Sequence, residues 1–359
     1  PTVSSLVDEL IVNKYLIDCG TVASQQMGRR PNELRVNGTE NLVAVISWRR
    51  ARLDIALITA DNKIAFRDQI PLTEEEDKVD KITSTFFNIM KPKVGDRRIM
   101  GLCIIIPGII DAENKRILST VIGVGYSDPV VQRFEEAFHD YPFCLLNDTA
   151  CFAYAEYVFA NITEPNFAYI NVSKGVGACL FANGKMLRGA GSNATQFGHF
   201  SVDRNGPLCA CGNHGCVERV VGENALTERA EACGIDLTRF AGRKPLYCDI
   251  GAMAEDGDAH AKELIKDLAV DLSFAISNLI TLFNPSLVVI GGMGVNLGPF
   301  FLSNIRDEVQ NSGFKEFVSN TWIQYSTLGL DSELGGAARY YIDHYYDFFE
   351  QMQGGLYAD

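Results

Sequence analysis

The sequence predicts an α/β protein made of two related halves, with a short helix and a β-hairpin in front of them. Three observations lead to this prediction. The chain has 359 residues, and a single hydrophobic core stops growing at about 250. One order of segments, three strands, a helical region and a final buried strand, occurs twice along the chain. Apolar residues make up 47% of the sequence, but no apolar run reaches the roughly 20 residues of a bilayer crossing. We therefore expect a soluble protein with two cores.

The N-terminal stretch predicts a helix followed by a hairpin. Apolar side chains lie at helical spacing in PTVSSLVDELIVNKYLID, at Val3, Leu6, Val7, Leu10 and Ile11. The following YLIDCGTVASQQMGRRPNELRVN alternates and turns like a short β-hairpin. A helix this short with one hairpin cannot bury its own apolar face. We therefore expect Pro1 to lie inside a small domain that begins before it.

The two repeats follow from residue 41 onwards. In the first, NLVAVISW, RLDIALIT and KIAFRDQI are strand-like, TEEEDKVDKITSTFFNIM is helix-like, and IMGLCIIIPG is a buried strand. In the second, FAYINVS, GVGACLFANG and KMLRGAG are strand-like, and long helices lead to the strand SLVVIGG. The segment GAARYYIDHYYDFFEQMQ predicts an amphipathic helix that packs back on one half. A duplication of this kind predicts a cleft between the halves.

Charge and cysteine usage narrow the class of protein. The net charge of −13 repels nucleic acid as a bulk field, so any DNA contact must be local. Residues 29–52 provide such a place, because six arginines and two glutamates give this segment a net charge of +4. The 10 cysteines do not form a dense disulfide framework in a chain this long, which favours the cytoplasm.

One cluster of side chains indicates a metal site. Cys209, Cys211 and Cys216 fall within CACGNHGC, ten residues after His199, and glycines let this loop turn tightly. Three thiolates and an imidazole are the number and type of ligands of a closed tetrahedral Zn²⁺ site. The alternatives are free core thiols or a redox pair, but Cys-x-Cys in a polar, glycine-rich loop is poorly suited to core packing. The sequence thus predicts a structural zinc ion.

The same residues carry a family resemblance. GHFSVDRNGPLCACGNHGCVE resembles the signature of the ROK family (repressors, open reading frames and kinases), and IPGIID, LLNDTACFAYAE and FNPSLVVIGG resemble its other segments in the expected order. The resemblance implies an actin-like duplication of ribonuclease-H-type domains. It places the first subdomain at residues 37–148 plus 337–359, the second, with the zinc site, at 149–336, and a partial winged helix-turn-helix with its linker at 1–36.

The resemblance also implies which residues bind a sugar. Asp148, after Asn147, matches the base of the family's kinases, although an aspartate there is equally suited to cap a helix. Gln196 stands where the family usually has a glutamate, and it retains the ability to hydrogen-bond a hydroxyl. His199 is expected to serve both the metal and the sugar, and Glu218 matches a sugar-hydroxyl contact.

The phosphate turn departs from the kinase pattern. ROK kinases carry Asp-x-Gly-Gly-Thr between the first two strands, where glycines let backbone N–H groups approach the phosphates. This sequence has ISWRRARLD, with Trp48, Arg49 and Arg50 in place of the glycines. We therefore expect no sugar kinase activity beyond a residual one, and an active ATP-dependent ROK sugar kinase is the alternative.

A damaged nucleotide site behind an extra N-terminal segment resembles the repressor branch of the family. PTVSSLVDELIVNKYLID resembles a recognition helix, in which Thr2, Ser4 and Ser5 would face DNA. Arg29 and Arg30, held extended by Pro31, suit a narrow minor groove. The predicted function is a cytoplasmic, zinc-containing repressor of carbohydrate genes that acts as a dimer or tetramer. Its signal would be a sugar, a sugar phosphate or a partner protein. A ligand-binding protein that neither catalyses nor binds DNA is the third reading.

Overall fold

The structure is a computed structural model that describes residues 3–21, 32–120, 122–124, 128–191 and 194–347. Thr2, Arg29 and Arg30 lie outside the described residues. The chain divides into two compact units, Pro1–Ala155 with Asp331–Asp359, and Glu156–Leu330. The boundaries expected from the sequence were 148/149 and 336/337, and the N-terminal helix and hairpin belong to the first unit.

The strands in chain order are β1 (Leu16–Thr21), β2 (Asn32–Val36), β3 (Asn41–Trp48), β4 (Arg52–Thr59), β5 (Ile64–Pro71), β6 (Arg98–Ile106), β7 (Gly108–Asp111), β8 (Arg116–Thr120), β9 (Phe143–Asn147), β10 (Phe167–Val172), β11 (Val176–Ala182), β12 (Lys185–Met186), β13 (Leu287–Gly291) and β14 (Trp322–Tyr325).

The α-helices are α1 (Val3–Val12), α2 (Lys78–Thr85), α3 (Lys91–Val94), α4 (Val130–Ala137), α5 (Asp148–Phe159), α6 (Val217–Val221), α7 (Glu223–Ala232), α8 (Tyr247–Glu255), α9 (Ala259–Phe283), α10 (Gly298–Gln310), α11 (Lys315–Val318) and α12 (Ser332–His344). A π-helical turn, Phe86–Met90, joins α2 to α3, and 3₁₀ turns cover Phe197–His199, Leu237–Phe240 and Gly292–Leu297. No helix in the described parts of the chain combines the length and apolarity needed to cross a membrane.

The first unit is built on a five-stranded sheet of order β5-β4-β3-β6-β9. β3 pairs antiparallel with β4 and parallel with β6, and β6 pairs parallel with β9. All eight residues of β3 are buried, as expected of a central strand covered on both faces. The core on one face packs α2 and α4 against the sheet through aromatic residues such as Phe86, Phe134 and Phe138.

The second unit repeats this topology. Its five-stranded sheet has the order β12-β11-β10-β13-β14, with β10 antiparallel to β11 and parallel to β13, and β13 parallel to β14. Each strand of one sheet thus has a counterpart in the same position and direction in the other. The long helix α9 supplies much of this unit's core and packs closely with α10. The predicted duplication in an α/β fold is therefore present.

Several elements differ from the sequence prediction for local reasons. The helix expected from Thr73 begins only at Lys78, because the Asp77 side chain caps it by accepting a hydrogen bond from the Asp80 N–H. The segment KMLRGAG forms a strand of two residues, since the chain turns away after Met186. The hairpin β7–β8 had no signal in the alternation pattern. The last helix ends at His344, nine residues before the predicted end at residue 353.

The N-terminal part contains α1 and the antiparallel pair β1–β2, as predicted. We call these three elements the N-terminal module. Ser4 and Ser5 are exposed on α1, and no residue of this helix is buried. A helix-turn-helix needs a second helix before the recognition helix, and residues 3–21 with 32–36 contain α1 alone. The winged helix-turn-helix therefore stays a prediction.

Candidate metal centre and sugar-binding residues

The cysteine loop of the second unit is a compact turn between the 3₁₀ turn at His199 and helix α6. Two isolated bridges, Ser201 with Cys216 and Leu208 with His214, fold the loop back on itself. Gly215 has a φ of 59°, and a Cβ there would lie 1.9 Å from the Asp203 carbonyl oxygen. Only glycine fits this position, so the backbone itself brings the cysteines back towards His199.

The four predicted metal ligands converge. Their donor atoms all lie within 4.8 Å of one another. The Cys209 Sγ is 3.6 Å from the His199 Nδ1, and the Cys211 Sγ is 3.6 Å from the Cys216 Sγ. In a tetrahedral site with zinc–sulfur bonds of about 2.3 Å, two ligand atoms are separated by about 3.7 Å. The donor set and these two separations therefore fit a tetrahedral metal ion, and this cluster could bind one.

The thiols of this cluster differ in their environments. The Asn213 backbone N–H is the main cause that lowers the pKa of the exposed Cys211 thiol. Burial raises the pKa of Cys216 to about 12. A bound cation reverses the second effect, because a coordinating thiol is deprotonated outright.

Glu218 lies on α6, two residues after the last cysteine. Its Oε2 accepts a hydrogen bond of 3.3 Å from the Val176 N–H, at the start of β11. A Cβ at Gly175 would lie 2.4 Å from the same oxygen, so the carboxylate packs directly against the β10–β11 turn. The metal loop and this turn together determine where Glu218 points.

Tyr247, at the start of α8, connects the two segments that position Glu218. It was not predicted from the sequence. Its hydroxyl lies 3.0 Å from the carbonyl oxygens of both Ser173 and Val221, so one donor joins the β10–β11 turn to the end of α6. Tyr247 is buried, and burial raises the pKa of its phenol well above the ordinary range. No local pattern marks such a residue, because its partners are 74 and 26 residues away.

Gln196 and His199 flank one 3₁₀ turn. Gln196 is exposed at its start and His199 is partly buried at its end. Between them, a Cβ on Gly198 would lie 1.8 Å from the Val176 carbonyl oxygen. The glycine lets this turn sit directly on β11, next to the turn that holds Glu218.

In the first unit, Asn147 and Asp148 lie where β9 passes into α5. The Asn147 Nδ2 donates to the Gly108 carbonyl at 2.5 Å, and its Oδ1 accepts from the Ala150 N–H at 3.1 Å. Asn147 therefore caps α5, and Asp148 is the first residue of that helix. The Asp148 Oδ1 accepts from the Thr149 N–H at 2.8 Å.

The β3–β4 turn places an ionic group beside Asp148. The turn closes with a hydrogen bond of 2.9 Å from the Arg49 N–H to the Arg52 carbonyl, behind the buried Trp48. The Arg49 guanidinium pairs with Glu333 at the start of α12, and with Asp54 on β4 at 3.3 Å. Asp54 also accepts from Arg52 at 2.9 Å and from Gln69 at 2.7 Å.

Burial is the largest influence on the pKa values of Glu333 and Asp148. It raises the pKa of Glu333 to about 7, and the charges of Asp148 and Asp54 add to the rise while Arg49 opposes it. The Glu333 Oε2 is buried with no hydrogen-bonding partner among the described residues. Burial likewise raises the pKa of Asp148, and the Arg49 charge is the largest effect against that rise.

The comparisons with known proteins agree with this architecture. The sequence profile of the ROK family matches residues 47–343. The chain belongs to the ROK family. It is 28% identical to a putative xylose repressor of Caldicellulosiruptor sp. over 91% of this chain and 84% of the relative. It is 26% identical to the DNA-binding transcriptional dual regulator NagC of Escherichia coli, over 91% of this chain and 83% of NagC.

Solved structures show the same fold, the actin-like fold of ROK kinases and repressors. A ROK-family transcriptional regulator, a homologue of the E. coli Mlc protein, superposes with a TM-score of 0.78 and 23% identity, covering 94% of this chain and 86% of its own. A ROK glucokinase of Streptomyces griseus with glucose and AMPPNP superposes with a TM-score of 0.70 and 23% identity, covering 83% of this chain and 98% of its own. The superposition thus covers nearly all of the kinase, whereas a larger part of this chain has no counterpart in it.

Proposed function

We propose that this ROK protein is a sugar-responsive transcriptional repressor without kinase activity. The observation that carries this proposal is the β3–β4 turn, where Arg49 points a guanidinium at Glu333 and Asp54 in place of a glycine cradle for phosphates. Kinases of this family need backbone N–H groups free to approach the nucleotide at that turn. The relatives named as repressors and the N-terminal module support the same function.

The residues that we propose for sugar contacts are those expected from the sequence, Asn147, Asp148, Gln196, His199 and Glu218. Carboxylate and amide oxygens that accept from sugar hydroxyls are the groups that a site of this kind requires. One relative is named a putative xylose repressor and another an N-acetylglucosamine repressor. The proposal therefore names a sugar as the class of effector, and not one particular sugar.

Zn²⁺ is the metal that we propose for the cluster of His199, Cys209, Cys211 and Cys216. When bound, it would supply a closed four-ligand clamp with no position left for an activated water. His199 would coordinate through Nδ1, the nitrogen that faces Cys209, which leaves Nε2 for a sugar hydroxyl or another acceptor. The chain's own contribution is the path from Cys216 through α6 to Glu218.

DNA binding would involve the exposed Ser4 and Ser5 of α1, with Thr2, Arg29 and Arg30, in a cytoplasmic homodimer or tetramer that reads paired half-sites. The test uses the full chain and an A/T-flanked palindromic duplex, with and without a panel of pentoses, hexoses and N-acetylhexosamines. We expect tight binding that one sugar weakens. An Arg29→Ala and Arg30→Ala double variant should bind more weakly, with a salt slope reduced by about 2.

The alternative function, a sugar kinase, is tested on the same preparation. A coupled ATP assay with the sugar panel should show no turnover near 1 s⁻¹ or above, the lower end of the usual enzyme range of about 1–10³ s⁻¹. Turnover of that size would replace the repressor proposal by the kinase. Absence of both turnover and DNA binding, with a sugar still bound, would leave a ligand-binding protein of the third kind.

A further inference from the structure

Helix α12 packs closely along α5, the helix that begins at Asp148. A Cβ on Gly336 would lie 2.1 Å from the Cys151 carbonyl oxygen, so the two backbones are nearly in contact. Further along, the Tyr154 hydroxyl donates to the Asp343 Oδ2 at 2.6 Å. Closely packed helices shift as rigid pieces rather than deform, so a displacement of α5 would be passed to α12.

The first turn of α12 is tied to the ionic group beside Asp148. Glu333 is buried and pairs with Arg49, whose charge acts on Asp148. Asp331, just before the helix, forms a two-point ion pair with Arg67 on β5. A change of charge or hydrogen bonding around Asp148 therefore reaches the start of α12 directly.

The chain that follows α12 holds the N-terminal module. The Tyr346 hydroxyl is 2.6 Å from the hydroxyl of Tyr15, and both residues are buried. Tyr15 lies between α1 and β1, and its backbone N–H donates to the Leu10 carbonyl at 2.8 Å. Its carbonyl accepts from the Asn37 N–H at 2.8 Å, just after β2. One residue thus joins the three elements of the module, and α12 reaches it through Tyr346.

Among the described residues, this contact is one of a small set that joins the module to the rest of the first unit, together with an ion pair between Lys14 and Glu40 at 3.5 Å. α1 buries no residue, whereas Tyr15 is only 5% exposed. Besides Tyr346, the Arg98 guanidinium stacks 4.6 Å from the Tyr15 ring centre, and the Asn41 side chain donates to the Lys14 carbonyl at 2.8 Å. Where a small set of contacts holds an exposed helix, the loss or shift of one of them changes the orientations that the helix populates.

We propose that α12, with Tyr346 at its end, is the element that transmits the state of the Asp148 end of α5 to the N-terminal module through Tyr15. The proposal rests on the proposed function in one respect, that Asp148 contacts the effector sugar. The alternative is that the two tyrosines only stabilise the fold, with no response to events at the other end of α12.

The test compares Tyr346→Phe, which keeps the ring and removes one hydroxyl, with Tyr345→Phe as the matched control. The Tyr345 hydroxyl donates at 3.4 Å to the Ala112 carbonyl and belongs to a neighbouring position on the chain. Hydrogen exchange of peptides within residues 3–21 and 32–36 reports on the module in the full chain. The perturbations are Glu333→Gln, and D-xylose or N-acetylglucosamine at saturation.

In the otherwise unchanged chain, Glu333→Gln and a bound sugar should each alter the exchange of these peptides. Tyr346→Phe should remove at least about half of both responses, while Tyr345→Phe retains them. In DNA binding, a sugar effect within the usual 5- to 150-fold range of coupling should fall to about twofold in Tyr346→Phe, with sugar affinity itself unchanged within about twofold. Combining Tyr15→Phe with Tyr346→Phe should add little to the effect of Tyr346→Phe alone, because each change removes the same contact between the two hydroxyls.

The proposal is overturned if Glu333→Gln leaves the exchange of the module unchanged, or if Tyr346→Phe responds like the unchanged chain. The first of these outcomes needs neither sugar nor DNA. A protein that binds no DNA, but whose module responds to Glu333→Gln through Tyr346, would refute the proposed function and retain the coupling. A repressor whose Tyr346→Phe variant is induced normally would do the reverse.

Discussion

Replacement of the buried Glu333 by glutamine should flatten the pH dependence of the first unit's stability. The folded chain holds this proton with a pKa of about 7, against an ordinary value of 4.5. The folded state binds more protons at Glu333 than the unfolded state does in this pH window. The contribution of Glu333 to the free energy of unfolding is therefore fully present below pH 4.5 and is lost as the pH rises through 7. The full difference corresponds to about 3 kcal/mol, most of which falls between pH 5 and 8.

The chain offers a clean reporter for this measurement. It has two tryptophans, of which Trp48 is buried in the first unit and Trp322 is exposed in the second. In a Trp322→Phe background, urea unfolding followed by fluorescence reports on the first unit alone. Between pH 5 and 8, the Glu333→Gln chain should lose about 2 to 3 kcal/mol less of its unfolding free energy than its parent. Glu75→Gln, at an exposed position, should match the parent. Equal losses in the Glu333→Gln chain and the parent would refute the assignment of this titration to Glu333.

Three further outcomes concern the second unit. Elemental analysis should find one zinc ion per chain, and Cys216→Ser should lose it. The control variant Cys248→Ser, which changes an exposed cysteine on α8, should retain the zinc. Full zinc in Cys216→Ser would contradict the ligand set. Tyr247→Phe should weaken sugar binding about fivefold in calorimetry, the equivalent of one hydrogen bond of about 1 kcal/mol, and unchanged affinity would exclude a positioning role. Gly175→Ala should weaken it more, about tenfold or beyond, since the new methyl would lie 2.4 Å from the Glu218 carboxylate and displace it. Affinity within twofold of the parent would show that Glu218 does not contact the sugar.

The sequence predicted those parts of the fold whose signal is local. The strands β3 and β4 occur at the residues expected from their apolar runs, because a strand buried on both faces has apolar residues at consecutive positions. The metal cluster was predictable for a similar reason, since its four ligands lie within eighteen consecutive residues, from His199 to Cys216. Helix starts were less certain, since the cap at Asp77 rather than the acidic run before it decides where α2 begins.

The features that the sequence could not predict join distant residues. Arg49 and Glu333 are 284 residues apart, and Tyr15 and Tyr346 are 331 apart. Neither pair has a spacing or a pattern that marks one partner for the other. The sequence predicted that Arg49 would obstruct a phosphate cradle, but only the fold shows which carboxylates pair with its guanidinium.

The charge of Arg49 also explains how one turn can change the role of Asp148. A general base works best when its pKa lies near the working pH, and burial raises the pKa of Asp148 in that direction. Arg49 opposes the rise, so its charge favours the ionised carboxylate. An ionised carboxylate is a stronger hydrogen-bond acceptor for a hydroxyl than a protonated one. A carboxylate whose pKa is held down by a nearby cation is also a weaker base than one whose pKa is raised by burial alone. In the proposed function, a guanidinium at this turn would act in two ways: it would stand where a kinase cradles phosphates, and it would favour binding of the sugar by Asp148 over deprotonation of the sugar hydroxyl.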